Sequence, residues 1–154
     1  MAFNIDLHTH TFFSGDGVSS PEENIAAARE KGLHGFAITD HNTCDAITYL
    51  LEKGLMREDG QPVDGFLILP GVEVTTAEGH LLCIGATLPY LKGTPAREVC
   101  EIIHERGGLA VPRDPDRDRA CLRALPGRPG RARLPLRLVR AGPDLLDRGR
   151  DHLQ

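Results

Sequence analysis

The segment Asp6-Leu7-His8-Thr9-His10, at the end of the first apolar run, constrains this chain more than any other feature. Residues two apart in a β-strand point to the same face, so His8 and His10 are predicted to project side by side. Two imidazoles on one face at the carboxyl end of a strand form half of a metal site. We therefore expect a sheet protein whose chemistry lies where its strands end.

Strand and helix signals alternate along the first 112 residues, which favours an α/β fold with a mostly parallel sheet. The three amphipathic segments between the apolar runs are predicted helices. The apolar runs that have the character of strands lie at 3–7, 35–39, 66–74, 81–86 and 109–111, and the third is expected to bend at its Pro-Gly pair.

Capping chemistry predicts where two of the helices begin. In the first, Ser20 can cap, Pro21 suits the first helical position and Glu23 completes a capping box. In the second, Asn42 or Thr43 is the predicted cap.

The composition changes near residue 112 and predicts a boundary there. Residues 1–112 carry 7 basic and 16 acidic side chains, whereas residues 113–154 carry 11 arginines, no lysine and 6 aspartates. We therefore expect a metal-binding β/α domain at 1–112 and a divergent, Arg- and Pro-rich segment at 113–154.

The four cysteines are scattered and form no CxxC pair, which argues against a zinc ribbon or a disulfide framework. They are predicted to be reduced thiols of a cytoplasmic protein. No apolar stretch is long enough to span a membrane, so no membrane partner is expected. The four residues are Cys44, Cys83, Cys100 and Cys121.

Further polar residues follow the later strand-like runs. Imidazoles and carboxylates suit zinc, manganese or iron, and Glu73 in an otherwise apolar strand could bridge two ions. Asp40 precedes His41 and is expected to support a ligand, because a ligating imidazole needs a partner for its second nitrogen. Taken singly, Asp16 is typical of a turn and His80 of a strand start. Asp40-His41 could also cap a helix, so the prediction rests on the ordered set.

Together these motifs resemble the polymerase and histidinol phosphatase (PHP) family over about residues 3–112. The segments that carry the resemblance are Asp6–Thr11, Ser14–Gly17, Ser20–Glu23, Ala37–Thr43, Gly71–Thr75 and Gly79–Leu82.

The resemblance implies a distorted seven-stranded β/α barrel, of which about five βα units are readable here. It also implies hydrolysis of phosphate esters at up to three divalent ions (Mn, Zn or Fe), with a metal-bound hydroxide, not a side chain, as the attacking group. The implied ligands are His8 and His10 for one ion, Glu73 bridging it to a second ion that also binds His80, and Asp16 with His41 for the third.

After Val111-Pro112 the family usually continues with Ala-His-Pro, whereas this chain has Arg113-Asp114-Pro115 and no late Asp-x-His pair. Asp114 is a candidate substitute ligand. The final segment could be a nucleic-acid-binding arm, a diverged end of the fold, or the product of an altered reading frame or truncation. We favour the third hypothesis, which translation of the other two frames after Val111 tests.

The expected function is that of a metal-dependent phosphoesterase acting on a small phosphorylated metabolite or nucleotide. Nucleic acid is a weaker candidate partner, because residues 113–154 intersperse aspartates and contain no aromatic side chain. One alternative is an inactive remnant that binds metal or a partner without turnover. Another is an amidohydrolase-type enzyme that attacks C–N bonds, against which Asp40-His41 and the Glu73 to His80 segment argue.

Overall fold

Six strands and three helices make up the computed structural model, which describes residues 2–114. None of the helices in this part of the chain has the length and apolar character needed to cross a membrane. Residues 115–154, which make up most of the segment predicted to diverge, lie outside the described residues. The elements are β1 (Ile5–Thr9), α1 (Pro21–Glu30), β2 (Gly35–Ile38), α2 (Asp45–Glu52), β3 (Leu67–Leu69), β4 (Gly71–Thr75), β5 (His80–Ile84), α3 (Ala96–Glu105) and β6 (Leu109–Pro112).

The strands form two three-stranded sheets, one parallel with the order β1-β2-β3 and one antiparallel with the order β4-β5-β6. The α/β class is confirmed, but the prediction of a mostly parallel sheet is wrong for the second half. The single bent strand predicted at 66–74 is two strands that belong to different sheets. A tight turn, in which the Thr76 N–H donates to the Gly79 carbonyl at 2.8 Å, then returns the chain as a hairpin.

The capping box of α1 is confirmed. The Ser20 hydroxyl accepts a hydrogen bond from the Glu23 N–H at 3.1 Å, and the Glu23 carboxylate accepts one from the Ser20 N–H at 2.7 Å. Two of the N–H groups that the start of a helix leaves unpaired are thereby satisfied by side chains close in sequence.

The cap predicted for α2 is confirmed only in part. The N-cap residue is Cys44, which makes no side-chain cap, but the Thr43 hydroxyl accepts from the Asp45 N–H of the first turn at 3.2 Å. Asn42 instead adopts a left-handed conformation (φ 55°), which asparagine tolerates better than most residues. Its side-chain oxygen accepts from the Thr75 N–H at 2.9 Å, and its amide donates to the Thr75 hydroxyl at 3.1 Å. Asn42 therefore connects the end of β2 to β4.

Alternation along the strands divides the core into two helix-covered clusters and a small inner one. Phe36 and Ile38 of β2 pack with α1 and α2, whereas Leu81 and Cys83 of β5 pack with α3. The intervening residues point to the other face of each sheet. They meet in the inner cluster, which consists of Ala37, Leu82 and Ile84 with Leu69 against it.

Gly71, the first residue of β4, lies close to the main chain of β2 in the other sheet. A Cβ atom at this position would overlap the Cys83 carbonyl oxygen and lie 2.8 Å from that of Ile38, so only glycine fits. The main chains then pair, because the Glu73 N–H donates to the Asp40 carbonyl and the Asn42 N–H donates to the Glu73 carbonyl, both at 2.9 Å. This contact sets β4 beside the end of β2.

Candidate metal centre

The six predicted ligands lie at one edge of the two sheets. β1, β2 and β4 run toward this edge and β5 starts from it, because β5 is antiparallel to β4. His80 therefore reaches the cluster from the first residue of a strand, while the other ligands lie in or after strands that approach it. The six are His8, His10, Asp16, His41, Glu73 and His80.

Glu73 is the centre of the cluster and its side chain is fully buried. Its Oε2 atom lies 3.0 Å from Nε2 of His8, 3.1 Å from Nε2 of His10 and 3.7 Å from Nδ1 of His41. Its Oε1 atom lies 3.4 Å from Nδ1 of His80. One carboxylate is thus surrounded by four imidazoles from three separate segments.

The imidazoles keep this buried carboxylate ionised. Burial alone raises the pKa of Glu73, but hydrogen bonds with His10 and His8 and the nearby charges outweigh it and lower the pKa to about 2. The same contact has the opposite effect on His10. The hydrogen bond with Glu73 raises the pKa of His10, although burial of the imidazole lowers it. Negative charge is therefore fixed at the middle of the cluster.

The donor atoms form three groups, in each of which they lie within 4.8 Å of one another. In the first group, Nε2 of His8 and of His10 are 3.0 Å apart, similar to their distances from Glu73. A separation near 3 Å is what two ligands of one ion with bonds of about 2.1 Å would have. Nitrogen and carboxylate donors so placed fit a divalent transition metal. The groups are His8, His10 and Glu73; His10, Asp16 and His41; and His41, Glu73 and His80.

Asp16 reaches the cluster from a loop, not from a strand. Its turn is confirmed, since the Gly17 N–H donates to the Ser14 carbonyl at 3.1 Å. Oδ2 of Asp16 lies 3.0 Å from Nε2 of His41, and 62% of its side chain is exposed. The buried Ser14 hydroxyl accepts from the His41 N–H at 2.9 Å, which ties the loop to the strand end.

Asp40 lies below the ligands and is fully buried. Its two oxygens accept hydrogen bonds from the N–H of Thr11 at 2.6 Å and from its hydroxyl at 2.7 Å. Burial raises the pKa of Asp40, against the lowering effect of these bonds. Its contact is thus with the main chain next to His10, whereas an imidazole nitrogen was expected.

The end of β6 contains the residue that the sequence reasoning missed. Arg113 donates from Nη1 to Oε1 of Glu73 at 3.4 Å. The candidate ligand Asp114 is half-buried and belongs to none of the three donor groups found among the described residues. The position of Arg113 directly after a predicted strand was the available signal, because His10 and His41 also follow strand ends.

Comparison with protein families matches residues 6–124 to the PHP domain. The chain belongs to the PHP family. The match covers more than half of the chain and extends past residue 112, where the composition changes. The resemblance stated from the motifs is thereby confirmed.

Curated relatives cover this chain in part. The uncharacterized protein MJ1587 of Methanocaldococcus jannaschii is 32% identical over 116 residues, which are 69% of this chain and 64% of that protein. The "Probable phosphatase Ent638_1550" of Enterobacter sp. is 39% identical over 93 residues, 58% of this chain and 38% of that protein. The chain thus spans less than two thirds of either relative.

Two solved structures are also similar to this chain. A "putative metal-dependent phosphoesterase" from Bifidobacterium adolescentis is 28% identical, with a TM-score of 0.42 over 69% of this chain and 34% of that one. An amidohydrolase from Chromobacterium violaceum is 26% identical, with a TM-score of 0.43 over 67% of this chain and 33% of that one.

Replacing the buried carboxylate of Asp40 should destabilise the fold. In Asp40→Asn one oxygen becomes an amide that cannot accept from Thr11, so a buried donor loses its partner at a cost of about 2 kcal/mol in the free energy of unfolding. Urea unfolding in the presence of a chelator measures this without a contribution from metal.

The exposed Asp45→Asn, at the first turn of α2, is the matched control and should change stability by no more than about 0.5 kcal/mol. Equal losses in the two variants would show that the Thr11 contacts contribute nothing specific.

Proposed function

We propose that this chain carries the metal centre of a phosphoesterase that hydrolyses phosphate esters. The observation that carries the proposal is the convergence of four imidazoles on the fully buried Glu73 in a chain of the PHP family. Relatives named probable phosphatases support the reaction class. Mn²⁺, Zn²⁺ and Fe²⁺ all suit the donor set.

In the proposed centre, up to three ions share the six side chains. Glu73 would bridge two of them through its separate oxygens, since Oε2 faces His8 and His10 while Oε1 faces His80. Asp16 and His41, 3.0 Å apart, would hold the third ion. His10 and His41 each belong to two donor groups, which would keep neighbouring ions close together.

Bound ions would acidify a water molecule and neutralise charge on the phosphoryl group. The protein's part is to hold the donors in place and to leave one side of the cluster open. The four imidazole side chains are between 24% and 35% exposed, whereas Glu73 is buried beneath them. An anionic substrate can therefore approach the histidines from solvent without reaching the carboxylate.

The substrate that we propose is a small phosphorylated metabolite or nucleotide. Nucleic acid stays a weaker candidate, because its support comes from arginines outside the described residues. A cytoplasmic location is consistent with the three described cysteines, all of which are free thiols. Burial raises the pKa of Cys44 to about 11 and that of Cys83 to about 12, so these thiols are chemically quiet.

We also propose that the two sheets are parts of the distorted seven-stranded barrel that the family resemblance implies. The parallel β1-β2-β3 sheet, with α1 and α2 in its two crossovers, supports this.

The test is release of the aryl alcohol by the purified full chain with added Mn²⁺, using an aryl phosphate monoester and an aryl diester. Glu73→Gln keeps the size of the side chain but removes the bridging charge, so we expect the rate to fall by roughly 100-fold or more. Circular dichroism of the variant checks that it is folded.

Glu105→Gln, at the exposed end of α3, makes the same chemical change away from the site and should leave the rate unaltered. Metal binding without turnover of either ester would indicate the inactive remnant. Cleavage of cyclic amides in preference to esters would indicate the amidohydrolase alternative.

Metal binding should strengthen as the pH rises from about 6 to about 8. The hydrogen bond with Glu73 raises the pKa of His10 above its ordinary 6.5, so this imidazole keeps its proton to a higher pH than an exposed one. An ion that binds through His10 must displace that proton. Calorimetry in buffers of different ionisation enthalpy counts the protons released.

His104→Gln, on α3, is the control and should leave the pH dependence unaltered. Affinity for Mn²⁺ that stays constant across this pH range, with no proton released, would exclude His10 as a ligand.

A further inference from the structure

Arg113 places a positive charge beside the carboxylate at the centre of the cluster. Its Nη1 atom lies 3.4 Å from Oε1 of Glu73, and its own N–H donates to the His80 carbonyl at 3.2 Å. The second of these contacts extends the β5-β6 pairing by one residue. The guanidinium is therefore positioned by the sheet itself.

The two oxygens of Glu73 have different neighbours. Oε2 faces His8, His10 and His41, whereas Oε1 is contacted at the same distance, 3.4 Å, by Nδ1 of His80 and by Nη1 of Arg113. In the His41-Glu73-His80 group, an ion that binds His80 together with Oε1 of Glu73 would approach the atom that the guanidinium contacts. The ion of the His8-His10 group would approach the other oxygen.

A guanidinium keeps its charge in proteins, unlike an imidazole or a carboxyl group. A divalent ion on Oε1 would lie only a few ångströms from it, on a carboxylate that is fully buried, where screening by water is weak. The two cations therefore repel each other, and a carboxylate oxygen that donates to one is less available to the other.

We propose that Arg113 competes with a metal ion for Oε1 of Glu73 and so sets the affinity of the His41-Glu73-His80 group. The wild-type chain then binds its ions unequally, with the His8-His10 side filled first. This inference rests on the metal centre proposed above and adds to it a residue that is not itself a ligand.

The experiment is a titration of the chelator-treated full chain with Mn²⁺ and, separately, with Zn²⁺. Calorimetry gives the affinity of each step, and native mass spectrometry counts the ions bound. Arg113→Gln retains a polar side chain but removes the charge. We expect the variant to bind one more ion than the wild type, or to bind the last ion at least about tenfold more tightly.

Two further variants define the comparison. Arg113→Lys keeps the charge and should behave like the wild type, which separates charge from packing. Arg97→Gln removes an exposed charge that pairs with Glu101 on α3, so it should leave the titration unchanged. Thermal unfolding of all three without metal confirms that each is folded.

The outcomes distinguish this inference from the metal centre on which it rests. If the wild type and Arg113→Gln bind the same number of ions with the same affinities, Arg113 does not compete and the inference is overturned while the metal centre stands. If neither protein binds an ion at millimolar concentration, the metal centre itself is wrong and the inference fails with it.

Discussion

The burial of one carboxylate, that of Glu73, is the interaction on which the rest of the site depends. An ionised group without water is tolerated only when other charges or donors surround it. Here those donors come from β1, from the end of β2, from the start of β5 and from the end of β6. The carboxylate thus requires that two sheets of different strand direction meet at one edge. The fold and the candidate chemistry share this one requirement.

The parts of the fold that the sequence predicts well are those whose physics is local. The capping box of α1 involves residues three apart, so Ser20 and Glu23 identify it without knowledge of anything else. Strand direction cannot be predicted in this way, because apolar runs have the same pattern in parallel and antiparallel sheets. The split between β3 and β4 and the return at β5 depend on pairing with distant strands. Asn42 was misassigned for the same reason, since its partner Thr75 is 33 residues away.

The same difference between local and long-range interactions applies to the site. His8 and His10 could be predicted because the period of a strand is a local property, and Glu73 because a charge within an apolar strand requires a partner. Arg113 could not, because its role exists only when β6 lies against β5. The contact of Asp40 with Thr11 likewise needs the turn after β1 to lie over the end of β2. Residue types thus indicated the chemistry, and tertiary pairing determined which groups touch.

Gly71 has a consequence for the candidate metal centre as well as for the fold. The donors that face Oε2 of Glu73 come mainly from the first sheet, whereas His80 and Arg113 belong to the second. The span between the two halves of the centre is thus fixed by a backbone-to-backbone contact at a residue without a side chain. Even a methyl group there would push the halves apart and change the distance between the two sets of donor atoms. The absence of a side chain at one residue thereby sets the spacing between the donors of the two sheets.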